Sequence, residues 1–148
     1  WDYRLTQAIE TVPMHVHHVA HLHILHSYAN HLTMLLHQRQ ALDSQSPFSV
    51  KHIARGRCLE SAKHLLQIHA TINETPEMTP FRWYGRGVGS FHAFHAAALM
   101  AHLMHSTPVG EESELYINLL QGCLSRFNSL AEYSTVCAKA TPVLQMLL

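Results

Sequence analysis

Histidine is the residue type whose number and spacing most suggest chemistry in this chain. There are 15 histidines among 148 residues, and eight of them lie between positions 15 and 37. Several are three or four residues apart, so on a helix both imidazoles leave one face and could bind a transition metal together. The candidate metal-binding pairs are His17 with His21 and His92 with His95.

A physiological metal site requires more than one such pair. It needs a third ligand and acceptors behind the ligands, and the sequence contains neither an HExxH nor an ExxH motif. We therefore expect ordinary surface and boundary histidines, and a histidine-rich metal-binding protein is the alternative. Because imidazoles titrate near pH 6.5, mild acidification should make the chain strongly positive and weaken its packing.

Other catalytic patterns are poorly represented. The chain has two aspartates and no nucleophile elbow, and the glycine-rich run over 85–89 does not follow a strand, as a dinucleotide-binding loop would. We interpret that run as a flexible connection between helices and expect no enzyme, with an enzyme on an all-helical scaffold as the alternative. No two cysteines show CxxC spacing, so we expect three small core residues, which are Cys58, Cys123 and Cys137.

The balance of charge excludes some partners and suggests others. Lys plus Arg and Asp plus Glu both number 10, so no basic footprint for direct nucleic-acid contact exists. Only 14% of the residues are charged, well below the usual quarter. This predicts a surface partly covered by another part of the same protein or by a homodimer partner. The sequence contains no apolar run of about 18 residues, so it predicts no membrane span.

Apolar periodicity predicts an all-α fold, an irregular bundle of about five to seven helices, with breaks at proline-containing and polar segments. The expected helices cover about 2–10, 14–41, 49–73, 90–105, 111–133 and 135–148.

Two of these helices have patterns that predict a buried face. In the long helix over 14–41, steps of three and four predict a buried stripe of Leu22, Leu25, Ala29, Leu32 and Leu36. The opposite side should be polar and outward, with His23, His26, Asn30, Thr33 and His37. In the helix over 111–133 the inward residues should be Leu115, Leu119, Leu120, Leu124, Phe127 and Leu130.

An aromatic segment precedes the alanine-rich helix. We expect the walls of a ligand pocket at Trp83, Tyr84, Phe91 and Phe94, facing the apolar stripe of the long helix. The alternative is that Trp83 and Tyr84 plug the bundle between helices, since large aromatic side chains dominate core burial.

Short motifs follow one another in a recognisable order. The first motif is Leu35-Leu36-His37, where Gln38 separates the histidine from Arg39 and so departs from a Leu-Leu-His-Arg pattern. The second is Cys58-Leu59, and the third is Phe81-Arg82-Trp83-Tyr84, followed by Phe91–Leu99. The last is Ala138-Lys139-Ala140 before Val143-Leu144. This succession resembles the middle homology regulatory domain of fungal binuclear zinc-cluster transcription factors.

The resemblance implies that residues 1–148 form a single helical regulatory domain of a nuclear protein. The domain would restrain activation, in some members of secondary-metabolite genes, through partner contacts or a small-molecule effector. Zinc would bind only to a DNA-binding domain outside this region, which itself has no cofactor. The start at Trp1 and the apolar end at Met146–Leu148 fit a fragment of a longer chain.

Overall fold

The computed structural model describes residues 16–106 and 113–148, and these form six α-helices and no strands. The helices are α1 (Val16–Leu42), α2 (Phe48–Glu74), α3 (Arg82–Arg86), α4 (Val88–Ser106), α5 (Ser113–Leu130) and α6 (Thr135–Leu147). A 3-10 helix (Pro76–Phe81) joins α2 to α3. The predicted all-α fold is confirmed, and the predicted helix over about 2–10 lies outside the described residues.

The two long helices α1 and α2 pack along each other as a hairpin. Their short connection is stabilised by Asp43, whose carboxylate accepts hydrogen bonds from the Gln45 backbone N–H (2.9 Å) and the Ser46 hydroxyl (3.1 Å). Aspartate favours such turns because its short side chain can bond backbone groups two residues ahead. Pro47 then directly precedes α2, since its fixed φ suits the entry to a helix.

Helix α4 lies at the centre of the bundle and contacts α1, α2, α3, α5 and α6. Its alanines are the reason, because small side chains let several neighbouring backbones approach closely. Ala93, Ala96 and Ala97 are fully buried. Large side chains from the surrounding helices fill the remaining space, and those with almost no exposure include Met34, Leu65, Leu66, Phe127 and Leu144.

The glycine-rich run is not the flexible connection that its composition predicts. Residues 82–86 form α3, and α4 begins directly after Gly87. A Cβ atom at Gly85 would lie 2.6 Å from Asn73 Nδ2, and one at Gly89 would lie 2.9 Å from the Tyr84 ring. These glycines therefore serve close packing of α3 and α4 against their neighbours, since a side chain at Gly89 would meet the Tyr84 backbone oxygen at 2.9 Å and one at Gly85 would displace the Asn73 side chain.

The prediction for the buried side of α1 is wrong. Leu25, Leu32 and Leu36 are 55%, 57% and 72% exposed, Ala29 is exposed as well, and Leu22 is only half-buried. The buried side of α1 instead carries Ala20, Ser27, Asn30, His31, Met34 and Ala41. Asn30 was expected to face outward with four other polar residues, and those four are half-buried.

The reason for the reversal lies in the spacing of small or unbranched residues along α1. Ala20, Ser27, Met34 and Ala41 recur every seven residues, and all four are buried. A face of small and slender side chains lets α1 lie close to α2 and α4, whereas a face of leucines would hold it further away. Close packing therefore selects the side of α1 with less hydrophobic surface.

Candidate functional site

Helix α1 carries two unusual features on opposite sides. The first is an exposed apolar stripe of Leu25, Ala29, Leu32 and Leu36, which we call the leucine face. Tyr28 and Leu35 lie beside it and are also largely exposed. Single exposed leucines are ordinary, whereas a contiguous exposed apolar patch is a candidate contact site for another molecule.

The second feature is a group of three imidazoles, His31 of α1 with His92 and His95 of α4, which we call the histidine cluster. His31 Nε2 lies 3.0 Å from His95 Nδ1, and the His31 ring stacks on the His92 ring with centroids 4.2 Å apart. The cluster forms because His92 and His95 are three residues apart on α4 and face the buried side of α1. It joins the long helix to the centre of the bundle.

The hydrogen bonds assign protons within the cluster. The Gln38 carbonyl oxygen can only accept, so His95 Nε2–H donates to it over 2.9 Å. Neutral His95 then has an unprotonated Nδ1, which accepts a hydrogen bond from His31 Nε2–H. A proton added at His95 Nδ1 would reverse this hydrogen bond, and His31 would then have to carry its own proton on Nδ1 so that its Nε2 could accept.

His92 has a different environment from the other two imidazoles. Its Nδ1 lies 3.0 Å from the Ser27 hydroxyl and 3.2 Å from the Tyr84 hydroxyl, and the Tyr28 ring packs edge-on against it at 5.1 Å. Two hydroxyl groups and a stacked imidazole thus surround a ring with almost no solvent contact. This is a polar network that connects α1, α3 and α4.

Burial and mutual repulsion disfavour protonation of the cluster. Desolvation, together with the nearby His31 and His95, lowers the pKa of His92 to about 4. Desolvation also lowers the pKa of His31, with His95 contributing, and desolvation alone lowers the pKa of His95. The neutral form of all three imidazoles is therefore favoured at pH 7.

The structure places the two predicted metal-binding pairs in different surroundings. His17 and His21 pack edge-on against the Phe81 ring, at 5.3 Å and 5.9 Å. His92 and His95 belong to the histidine cluster. Within residues 16–106 and 113–148, no three side chains of His, Cys, Asp or Glu are arranged to hold a metal ion.

The four residues predicted to line a pocket have three different environments. Trp83 and Phe91 are 66% and 52% exposed, Tyr84 is buried beside His92, and Phe94 is half-buried against the main core. Phe91 contacts the His31 ring, with centroids 5.8 Å apart. An apolar cavity of about 330 Å³ lies elsewhere, between α4, α5 and α6. The pocket at the aromatic residues stays a prediction.

One buried group has the residue types of a nucleophile and a base. His69 Nε2–H donates to the Gly85 carbonyl (3.2 Å) and lies 3.3 Å from the Ser90 hydroxyl, which in turn contacts Cys137 Sγ at 3.2 Å. Ser90 and Cys137 have no solvent exposure, so a substrate could not reach either atom. The group therefore serves as polar packing in the core.

The three cysteines are buried, as predicted, and none forms a disulfide. Burial raises the pKa of Cys58 to about 11 and that of Cys123 to about 12, so these two are thiols at neutral pH. Only the thiolate form of cysteine is nucleophilic, so these two residues act as small apolar core residues and not as nucleophiles.

Sequence reasoning missed the residues of α1 that matter most for the cluster, namely Ser27, His31 and Gln38. A signal was available in the seven-residue repeat of Ala20, Ser27, Met34 and Ala41, which has His31 and Gln38 beside it. The more conspicuous leucine stripe obscured that signal.

The assignment of a function rests on the residues of this chain, because comparisons with known proteins found no match. No protein-family model, no curated protein and no solved structure matches this chain. Among the helices described, none combines the length and hydrophobicity needed to cross a membrane.

Proposed function

We propose that this chain is a non-catalytic regulatory domain that works through protein–protein contact, of the kind found in fungal zinc-cluster transcription factors. The leucine face carries the proposal. A helix that is already docked through its opposite side exposes a row of leucines, and a covering partner would remove that apolar surface from water.

The transcription-factor part of the proposal rests on the order of the motifs. Leu35-Leu36-His37 lies in α1, Cys58-Leu59 in α2, the aromatic segment at the 3-10 helix and α3, the alanines in α4 and the last motif in α6. Each motif thus occupies a separate helical element in chain order, as a resemblance between whole domains requires. The parent protein would act in the nucleus and bind zinc in a separate DNA-binding domain.

The mechanism would be a shift of population. A partner that covers the leucine face binds the form in which that face is accessible and stabilises it relative to others. The partner would be the remainder of the parent chain or a second copy, and a small-molecule effector would act by favouring one packing of the helices. The histidine cluster does not favour a metal-binding function, because four of its six nitrogens already take part in hydrogen bonds.

A reporter assay tests the regulatory role. The chain is inserted between a heterologous DNA-binding domain and an activation domain, and we expect lower reporter output than with a flexible spacer of equal length. The variant Leu25→Glu/Leu32→Glu/Leu36→Glu should restore output, because three carboxylates would prevent an apolar contact. The control Met146→Glu, at an 82% exposed position of α6, should restrain output like the wild type.

Equal output from the wild-type chain and the spacer would contradict the proposal. Circular dichroism of each purified variant checks that helix content is unchanged, so that restored output reflects a lost contact and not unfolding.

A further inference from the structure

We propose that the leucine face binds the same face of a second copy of this chain, so that the domain is a homodimer joined through α1. The inference rests on the proposed function, since it names the partner of the same surface. It follows from the spacing, the charge and the pre-organisation of α1.

The spacing of the leucine face suits contact with an identical helix. Leu25, Ala29, Leu32 and Leu36 follow one another at steps of four, three and four, and the half-buried Leu22 precedes Leu25 by three, which is the period of two helices that pack side by side. The leucines can act as knobs on one helix and as the walls of holes on the other. Ala29 stands at the middle of the stripe, where its small side chain lets two helices approach closely.

The charge distribution also favours a second copy. Arg39 is the only Lys, Arg, Asp or Glu in the whole of α1, so the helix carries almost no formal charge at neutral pH. The positions beside the stripe are occupied by His21, Tyr28 and Leu35 on one side and by His26, Thr33 and Gln40 on the other. Flanking charges normally select a different partner or repel an identical one. Here the one formal charge next to the stripe is Arg39, three residues after Leu36, so identical helices meet with little repulsion.

The helix is already formed and held before any partner arrives. Its other side is fixed by the histidine cluster and by Met34, which is fully buried in the main core. Dimerisation would therefore require ordering of only the exposed leucine side chains and no refolding of α1. That lowers the entropic cost of association relative to a segment that folds as it binds.

Sedimentation equilibrium tests the dimer directly. The wild-type chain should be a dimer at high micromolar concentration and pH 7.5. Leu32→Glu should raise the dissociation constant by about a hundredfold or more, because two carboxylates would be buried in each dimer without partners. The control Met146→Glu should leave the dissociation constant unchanged. A wild-type monomer, or a dimer that Leu32→Glu does not weaken, would overturn the inference.

Engineered cysteines test the arrangement of the two helices. The three native cysteines are completely buried, so a new thiol on the leucine face would be the exposed one. Ala29→Cys lies near the middle of the stripe and should form a disulfide-linked dimer whether the helices run parallel or antiparallel. Leu36→Cys should do so only if they run parallel. Absence of cross-linking by Ala29→Cys in a sample that sediments as a dimer would refute this interface.

The two proposals fail separately. A wild-type monomer whose reporter output still depends on the leucine face would overturn the homodimer and retain the regulatory role, with the rest of the parent chain as partner. A dimer that Leu32→Glu dissociates, in a chain that does not restrain the reporter, would confirm the homodimer and overturn the regulatory role.

Discussion

Helices α1 and α5 differ in which of their residues they bury. Helix α5 buries Tyr116, Leu120, Cys123 and Phe127, which follow one another at helical spacing, and its exposed side is largely polar. Helix α1 buries serine, asparagine and histidine together with small apolar residues, and it exposes three leucines by more than half. A helix with one apolar face has one way to dock, whereas a helix with two usable faces has two.

The comparison shows that hydrophobicity alone does not select the docked face. On α1 the inner side chains lose water but gain hydrogen bonds, since Ser27 contacts His92 and Asn30 donates to the His26 carbonyl over 2.9 Å. The desolvation cost of burying these polar groups is thereby offset. The leucines remain available for a second surface.

The largest effect should come from the buried face of α5. Phe127→Ala removes a fully buried ring from the main core and should lower the free energy of unfolding by about 4 kcal/mol, from lost burial and from the cavity left behind. Urea denaturation followed by circular dichroism measures it. A loss below about 1 kcal/mol would mean that α5 does not dock as described.

The buried face of α1 should be nearly as sensitive, although it has fewer large apolar side chains. Met34→Ala should cost about 3 kcal/mol, because Met34 has no exposed surface and packs in the main core. The same denaturation experiment serves, carried out where sedimentation shows monomer. If Met34→Ala were neutral and Leu32→Ala costly, the two sides of α1 would be assigned the wrong way round.

Acid should loosen α1, where three imidazoles meet, more than α5, whose Phe127 packs against the single buried His69, also with a pKa lowered to about 4. The cluster pKa values lie below the value of about 6.5 expected in the unfolded chain. Their contribution to stability is therefore complete above pH 6.5 and is lost as the pH falls towards 4. For His92 the loss between pH 7 and pH 5 should be about 1–2 kcal/mol.

Hydrogen exchange can detect that difference between the helices. The ratio of protection in α1 to protection in α5 should fall between pH 7 and pH 5, and the His92→Gln variant should show a smaller fall. The ratio cancels the intrinsic effect of pH on exchange. An unchanged ratio in the wild type would show that protonation of the cluster does not control docking of α1.

The smallest effect should come from the leucine face. Leu36→Ala should change the free energy of unfolding of the monomer by no more than about 0.5 kcal/mol, because the side chain is 72% exposed. Denaturation at low protein concentration measures it. At concentrations that favour a dimer the same substitution should become destabilising, since it then removes buried surface.

Much of the helical architecture could be read from local patterns. The polar segment after Ala41 and the prolines at 76 and 80 mark the ends of helices, and the predicted limits of α2 and α4 lie within two residues of those observed. The alanines of α4 indicated a central helix. Of the six residues predicted to face inward on α5, Leu120 and Phe127 are buried, three are half-buried and Leu115 is exposed. These features could be predicted because each depends on one apolar face or on one helix-breaking residue.

The histidine cluster could not be predicted in the same way. The pairing of His92 with His95 follows from their spacing, but His31 lies about sixty residues earlier and meets them only because α1 turns its polar side to α4. The same applies to the Gly85 contact with Asn73, which depends on how closely α3 lies on α2. Contacts between distant residues depend on the orientation of whole helices.

The sequence by itself determined that this chain is helical, where most of its helices begin and end, and which residues of α1 share a face. Only the tertiary structure decided which of the two faces of α1 is buried. The physical reason is that helical periodicity shows which residues lie on the same face of a helix but not which face will be buried. Close packing against α2 and α4 decided that, because it favoured small residues and histidines inside and left the leucines outside.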